Sequence, residues 1–150
     1  IKRDGVPYDL ISKSLPTVEG AVNDILAQIV DFSIVFNMDG KQIDTHIVYD
    51  DDRVWPLELS SGMEKFISSL AIRVGLINVS NLPRGNFLAI DEGWGTMDSD
   101  NINSVYNLFQ YLKGQFQFAL IVSHVDSMRD AVDTLLEITK DTEFSKIKFD

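Results

Sequence analysis

The chain has 150 residues, 45% of them hydrophobic and 24% charged, with no cysteine and a formal net charge of −10. This length holds one domain with a real core, and no run approaches the ~20 apolar residues of a membrane span or the charged-then-apolar pattern of a signal peptide. The absence of cysteine excludes disulfides, thiolate metal sites and cysteine nucleophiles and fits a reducing interior, while the acidic balance makes the domain as a whole repel nucleic-acid phosphates.

Ile1 to Pro16 is polar and broken by Pro7 and Pro16, so it reads as a lead-in segment, and a start at Ile1 suggests an excised part of a longer chain. Thr17 can cap a helix to about Val30, with Val18, Ala21, Val22, Ile25, Leu26 and Ile29 at helical period. Phe32–Phe36 and Ile43–Tyr49 read as two strands of a hairpin around Asn37-Met38-Asp39-Gly40, and Asp50-Asp51-Asp52 as a solvated acidic loop. Ser61 opens a second helix to about Asn78, whose stripe of Phe66, Leu70, Val74 and Ile77 is widened by Ile67, Ala71 and Leu76.

After a loop at Asn81–Gly85, Phe87-Leu88-Ala89-Ile90 is apolar at every position, which predicts a strand buried on both faces. A third helix spans about Ser99 to Lys113, capped by Asp98 and ended by Gly114, with Ile102, Val105, Leu108, Phe109 and Leu112 inward. Phe118–Val122 is another fully apolar strand, followed by a helix near Ser127–Asp133 and two short strands, Leu135–Thr139 and Ser145–Phe149. The order predicts an α/β fold: an N-terminal β-hairpin, then alternating helices and buried, mainly parallel strands.

The chemistry gathers at a few places. Asp91-Glu92 follows the first apolar strand, and charges there must lie at its carboxyl end, where open α/β sheets bind ligands. Asp91 can hold Mg²⁺ through water, and Glu92, in a water-poor site that raises its proton affinity, can orient and deprotonate a water. Each acid alone could be an ordinary helix cap; the adjacent pair, followed by Gly93, Gly95 and Asp98, favours catalysis. Ser123-His124 follows the second apolar strand, so parallel pairing brings His124 to the same edge, where it can meet a terminal phosphate or hold the attacking water.

Ser61-Gly62-Met63-Glu64 matches a capping box, and the same helix start can receive a phosphate; the two readings share one geometry and both stand. His46 reads as structural, Trp55 as packing beside Pro56, Trp94 as lying near the site, and Arg53 and Arg84 as exposed. No G-x-x-x-x-G-K-[ST] occurs, so a phosphate-cradling loop would have to come from another segment.

With these residues in place, the chain resembles the C-terminal lobe of the ATP-binding-cassette head of SMC-like ATPases, closest to the SbcC-type ATPase of double-strand-break repair and recombination. Ser61-Gly62-Met63-Glu64-Lys65 and Ser69-Leu70-Ala71-Ile72-Arg73 stand where that family carries its signature stretch and helix. Ala89-Ile90-Asp91-Glu92 is similar to its Walker B segment, Gly95-Thr96-Met97-Asp98 to its D-loop and Val122-Ser123-His124 to its histidine switch. Met63 departs from the second glycine of the signature.

The resemblance implies ATP and Mg²⁺, with Asp91 on the metal and Glu92 and His124 catalytic. Ser61, Gly62, Met63, Glu64 and Lys65 would meet the nucleotide held by a second head, and Asp98 would couple the two sites. It implies residues 17–150 as the lobe and 1–16 as the return from a long coiled coil. Its partners would be its own N-terminal ATPase lobe, a second head in a homodimer, a nuclease subunit and, through the full complex, DNA. No membrane is implied, and the location would be cytoplasm and nucleoid or, for a virus, the host-cell interior. The rival readings are another cassette ATPase, either a chromosome-organising SMC protein or a transporter's nucleotide-binding domain, and a non-catalytic dimerisation module.

Overall fold

The computed structural model describes residues 5–39, 42–50, 53–91, 94 and 102–149. Helix α1 spans Gly5–Leu26 and passes through Pro16, so the expected start at Thr17 gives way to one twelve residues earlier. A mid-helix proline removes one backbone bond. The helix continues because Val18, Val22, Ile25 and Leu26 form an inner face on the core, a long-range gain the local sequence does not display. It ends short of Val30, where the amides of Ile29 and Val30 turn back to the Leu26 carbonyl at 2.9 and 2.8 Å.

Strands β1 (Ser33–Asp39), β2 (Gln42–Asp50) and β3 (Arg53–Pro56) form an antiparallel sheet in that order. The hairpin agrees with the sequence, with Ser33 opposite Val48 and Asp39 opposite Gln42; β3, with Trp55 opposite Ile47, is an addition. Helix α1 lies along β1 and satisfies backbone groups of that edge strand. The Asn23 amide donates to the Ile34 carbonyl at 2.9 Å, its oxygen accepts from the Ile34 amide at 2.8 Å, and a Glu19 oxygen accepts from the Phe36 amide at 2.7 Å.

A short 3-10 turn at Leu57–Leu59 leads into α2 (Gly62–Val79). Its buried side, Met63, Ile67, Leu70, Ala71 and Val74, packs on α1 across Gly75, where an added Cβ would lie 2.8 Å from Val22 Cγ2.

Strands β4 (Phe87–Asp91) and β5 (Phe118–Val122) pair in parallel through α3 (Ile102–Gln115), and parallel pairing among the described residues is confined to them. Gly114 lies inside α3 and does not end it; the last turn closes with the Phe116 amide on the Leu112 carbonyl at 2.9 Å.

Full burial of the two strands is not what the structure has. Ile90 is buried, but Phe87, Phe118, Leu120 and Val122 are 66%, 58%, 47% and 48% exposed. Alternate residues face the core, and among the described residues no layer covers the opposite face. A 3-10 turn at Asp126–Ala131 stands where the sequence predicts a helix, followed by the hairpin of β6 (Leu136–Lys140) and β7 (Ser145–Phe149). The core joins α1, β1, β2 and α2 to the inner sides of β4 and α3.

Candidate functional site

The carboxyl edge of β4–β5 is built by register. Phe87 pairs with Phe118 and so on to Asp91 with Val122, so Asp91 leaves the sheet directly beside the strand that continues into Ser123-His124. The two strand ends expected to meet are neighbours at Asp91 and Val122. Asp91 and His124 are both exposed, and the Ser123 hydroxyl accepts from the Val125 amide at 3.0 Å, which shapes the turn after β5. Glu92 and Asp98, the other two acids singled out from the sequence, lie outside the described residues.

Trp94 packs into the core close to Asp91 in sequence. Its ring is fully buried, 4.6 Å from Phe66 of α2 and 5.4 Å from Phe109 of α3 between centroids. It is therefore a core anchor three residues from Asp91, with an indole N–H that has no hydrogen-bond partner among the described residues. Phe66 lies in the first turns of α2, so the start of that helix lies beside Trp94. A groove lined by Phe66, Ser69 and Arg73 of α2 and by Ala89, Ile90 and Asp91 of β4 follows the contact.

The α2 start is a complete capping box. Ser61 Oγ accepts from the Glu64 amide at 3.3 Å, and Glu64 Oε2 accepts from the Ser61 amide at 2.6 Å. Gly62 and Met63, the first helical residues, lie too early in the helix for their amides to find an intrahelical acceptor. Met63 is buried and faces the core, so its side chain does not stand over them. Lys65 closes the first turn through its own amide on the Ser61 carbonyl at 3.1 Å.

Nothing in the sequence singles out Tyr49, whose hydroxyl donates to Glu64 Oε1 at 2.5 Å. Burial would raise the Glu64 carboxyl, but bonds from Tyr49 and Ser61 outweigh it and hold the group below its ordinary range. Burial first, and then the bond to Glu64, push the Tyr49 phenol well above its ordinary value, so it stays a donor.

The remaining expectations resolve simply. His46 Nδ1 is 3.2 Å from the Asn37 amide nitrogen within the hairpin, and Trp55 stacks on Tyr49. Arg53 pairs with Asp50, while Arg84 bonds Gln115 and lies over the Phe116 ring. Among the described residues no group of three or more His, Cys, Asp or Glu side chains could hold a metal. A single exposed carboxylate, Asp91, fits a Mg²⁺ ion carried mainly by water and phosphate and not by a protein cage. Among the described residues no helix is long and apolar enough to cross a membrane.

This fold is similar to that of solved SMC head structures. A solved structure from work on ATP-driven dimerization and DNA-stimulated activation of SMC ATPases superposes with a TM-score of 0.76 at 15% identity, over 94% of this chain and 88% of that one. The SMC head domain from Thermotoga maritima gives 0.64 at 22%, over 95% of this chain and 51% of that one. An SMC head bound to the C-winged helix domain of ScpA gives 0.71 at 17%, over 95% and 45%.

In sequence, the chain is similar to the SbcC component of the nuclease SbcCD of Staphylococcus aureus, 31% identical over 93 residues, which is 59% of this chain and 9% of that protein. It is also 35% identical over 160 aligned positions to an uncharacterized protein of Acanthamoeba polyphaga mimivirus, covering 96% of this chain and 12% of that protein. No protein-family model matches. The resemblance to SMC-like, SbcC-type heads drawn from the motifs thus holds in both fold and sequence, and the chain spans about a tenth of the length of these curated relatives.

Proposed function

We propose that this chain is the C-terminal lobe of an ATP-hydrolysing head of SbcC type, whose ATP-driven dimerisation acts on DNA in repair and recombination together with a nuclease subunit. The observation that carries the reading is the in-register parallel pairing that sets Asp91 beside Val122 and hence beside Ser123-His124. On this reading residues 17–150 form the lobe and residues 1–16 lead in from a coiled coil. The helical lead-in through Pro16 is compatible with that.

Asp91 would hold Mg²⁺, which supplies charge neutralisation on the phosphates when bound. Glu92 accepts the proton of the attacking water, and His124 hydrogen-bonds the terminal phosphate. The Ser61 hydroxyl and the free amides of Gly62 and Met63 face the nucleotide on a second head, with Glu64 and Lys65 in the same turn and Asp98 coupling the two sites. The uncovered apolar face of β4–β5, in a chain lacking a phosphate-cradling motif, supports a second layer contributed by an N-terminal ATPase lobe. The lack of cysteine agrees with a cytoplasmic, nucleoid or host-cell interior.

The test is Glu92→Gln in the complete protein: ATP binding and dimer formation persist, and turnover falls by about 10²–10⁴. Unimpaired hydrolysis contradicts the assignment. A chromosome-organising SMC protein is the second reading, favoured by the solved heads that share the fold; the 31% identity to the SbcC component of SbcCD favours repair.

A further inference from the structure

Beyond the core packing of Met63 and Ile67 and the contact of Phe66 with Trp94, two further attachments hold the start of α2. One is covalent, the 3-10 turn Leu57–Leu59 that joins it to β3 and closes with the Ser60 amide on the Leu57 carbonyl at 3.1 Å. The second attachment is the Tyr49 hydroxyl on Glu64 Oε1.

In an isolated capping box the glutamate needs only one oxygen for the helix, and the other faces water. Here Oε2 is committed to the Ser61 amide and Oε1 to Tyr49, so the carboxylate is fixed at both ends. Tyr49 is itself immobilised. Its ring lies 5.5 Å from Phe32, stacks on Trp55 at 5.4 Å, and carries the Arg53 guanidinium 5.3 Å from its centroid. Arg53 in turn is held by Asp50 at 2.9 Å.

This is more restraint than a helix cap requires. A cap is complete with Ser61 and Glu64 alone, and the phenol adds nothing to its backbone bonds. What the phenol does add is a fixed direction for the first turn, relative to a three-stranded sheet that α1 braces through Asn23 and Glu19.

We propose that Tyr49 is a positioning residue: through Glu64 it sets the aim of the Ser61 hydroxyl and of the Gly62 and Met63 amides toward the phosphate presented by a second head. The proposal rests on the reading of the α2 start given under Proposed function. Tyr49 touches no nucleotide on this account. Its effect falls on how well the first turn of α2 meets a phosphate it must approach from outside, and hence on assembly more than on nucleotide capture by one head.

The test uses the complete protein and reads the ATP concentration for half-maximal head association by sedimentation. Tyr49→Phe raises that concentration about tenfold, the scale of one hydrogen bond to a charged group, while ATP binding to dilute, unassociated heads is unchanged. Tyr49→Phe added to Glu64→Ala produces no further rise, because the two act through one bond. A Tyr49→Phe protein with a lowered melting temperature but an unaltered half-maximal concentration overturns the proposal, since that is the signature of a purely structural bond. If Tyr49→Phe does not fold, Glu64→Gln, which keeps the volume, carries the same test, and an unaltered concentration there overturns it equally. Ser61→Arg run alongside separates the two levels. Association that survives Ser61→Arg contradicts the reading of the helix start, whereas association lost in Ser61→Arg and unchanged in Tyr49→Phe contradicts the Tyr49 role alone.

Discussion

Glu64 ties three parts of the lobe together, and its ionisation contributes to stability. Its carboxyl is held below the ordinary range because bonds from Tyr49 and Ser61 favour the charged form over the opposing effect of burial. A group depressed in the folded state stabilises above its unfolded value and loses that contribution as pH falls through its folded value. Wild type should therefore melt higher than Glu64→Gln at neutral pH. The gap should close on acidification below the usual glutamate range; a constant gap across a pH series of thermal melts contradicts this.

Ser68 offers the opposite case. It is fully buried on α2, and among the described residues its hydroxyl has no hydrogen-bond partner. Ser68→Ala removes an unsatisfied group and adds helix propensity, so urea unfolding should show no loss and a gain of up to about 1 kcal/mol. The Ser61–Glu64 box is legible in the sequence because its spacing is its mechanism. Tyr49 is not, because its partner lies fifteen residues away across a sheet register that no local pattern encodes.

At the level of elements, periodicity locates the hairpin, the body of each long helix and both apolar strands. It fails where a tertiary contact decides. Pro16 has the look of a boundary, yet α1 runs through it because its inner face is buried against α2 and β1. Gly114 has the look of a stop and lies inside α3. The four apolar residues of β4 resemble a doubly buried strand, and only alternate ones are covered.

Gly75 shows how the helices approach. The site is filled by Val22, so Gly75→Ala forces a side chain into a packed contact. Overpacking of this kind costs about 1–3 kcal/mol, and the propensity gain of alanine offsets roughly 1 kcal/mol of it. Gly75→Ala should be destabilised and Gly75→Val more so; a Gly75→Ala protein as stable as wild type in urea would show that α1 and α2 are less closely packed.

For the whole molecule, the candidate site divides into what the structure brings together and what it leaves for other segments. Asp91 and the Ser123-His124 turn share one sheet edge, and the start of α2 carries the Ser61–Glu64 capping box. The apolar outer faces of β4–β5 and of β6–β7, the latter exposing Leu136, Ile138, Ile147 and Phe149, are suited to cover by further protein. Ser61→Arg should abolish ATP-induced dimers by bulk and charge at a crowded contact, as size-exclusion chromatography with ATP would report.

Most direct is a structure of the complete Glu92→Gln protein with ATP and Mg²⁺. One triphosphate should have Asp91 on the metal side and His124 at its terminal phosphate, with Ser61 of a second head completing the shell. Asp91 and His124 lying far from the nucleotide, or Ser61 turned away from the other head, would contradict the account.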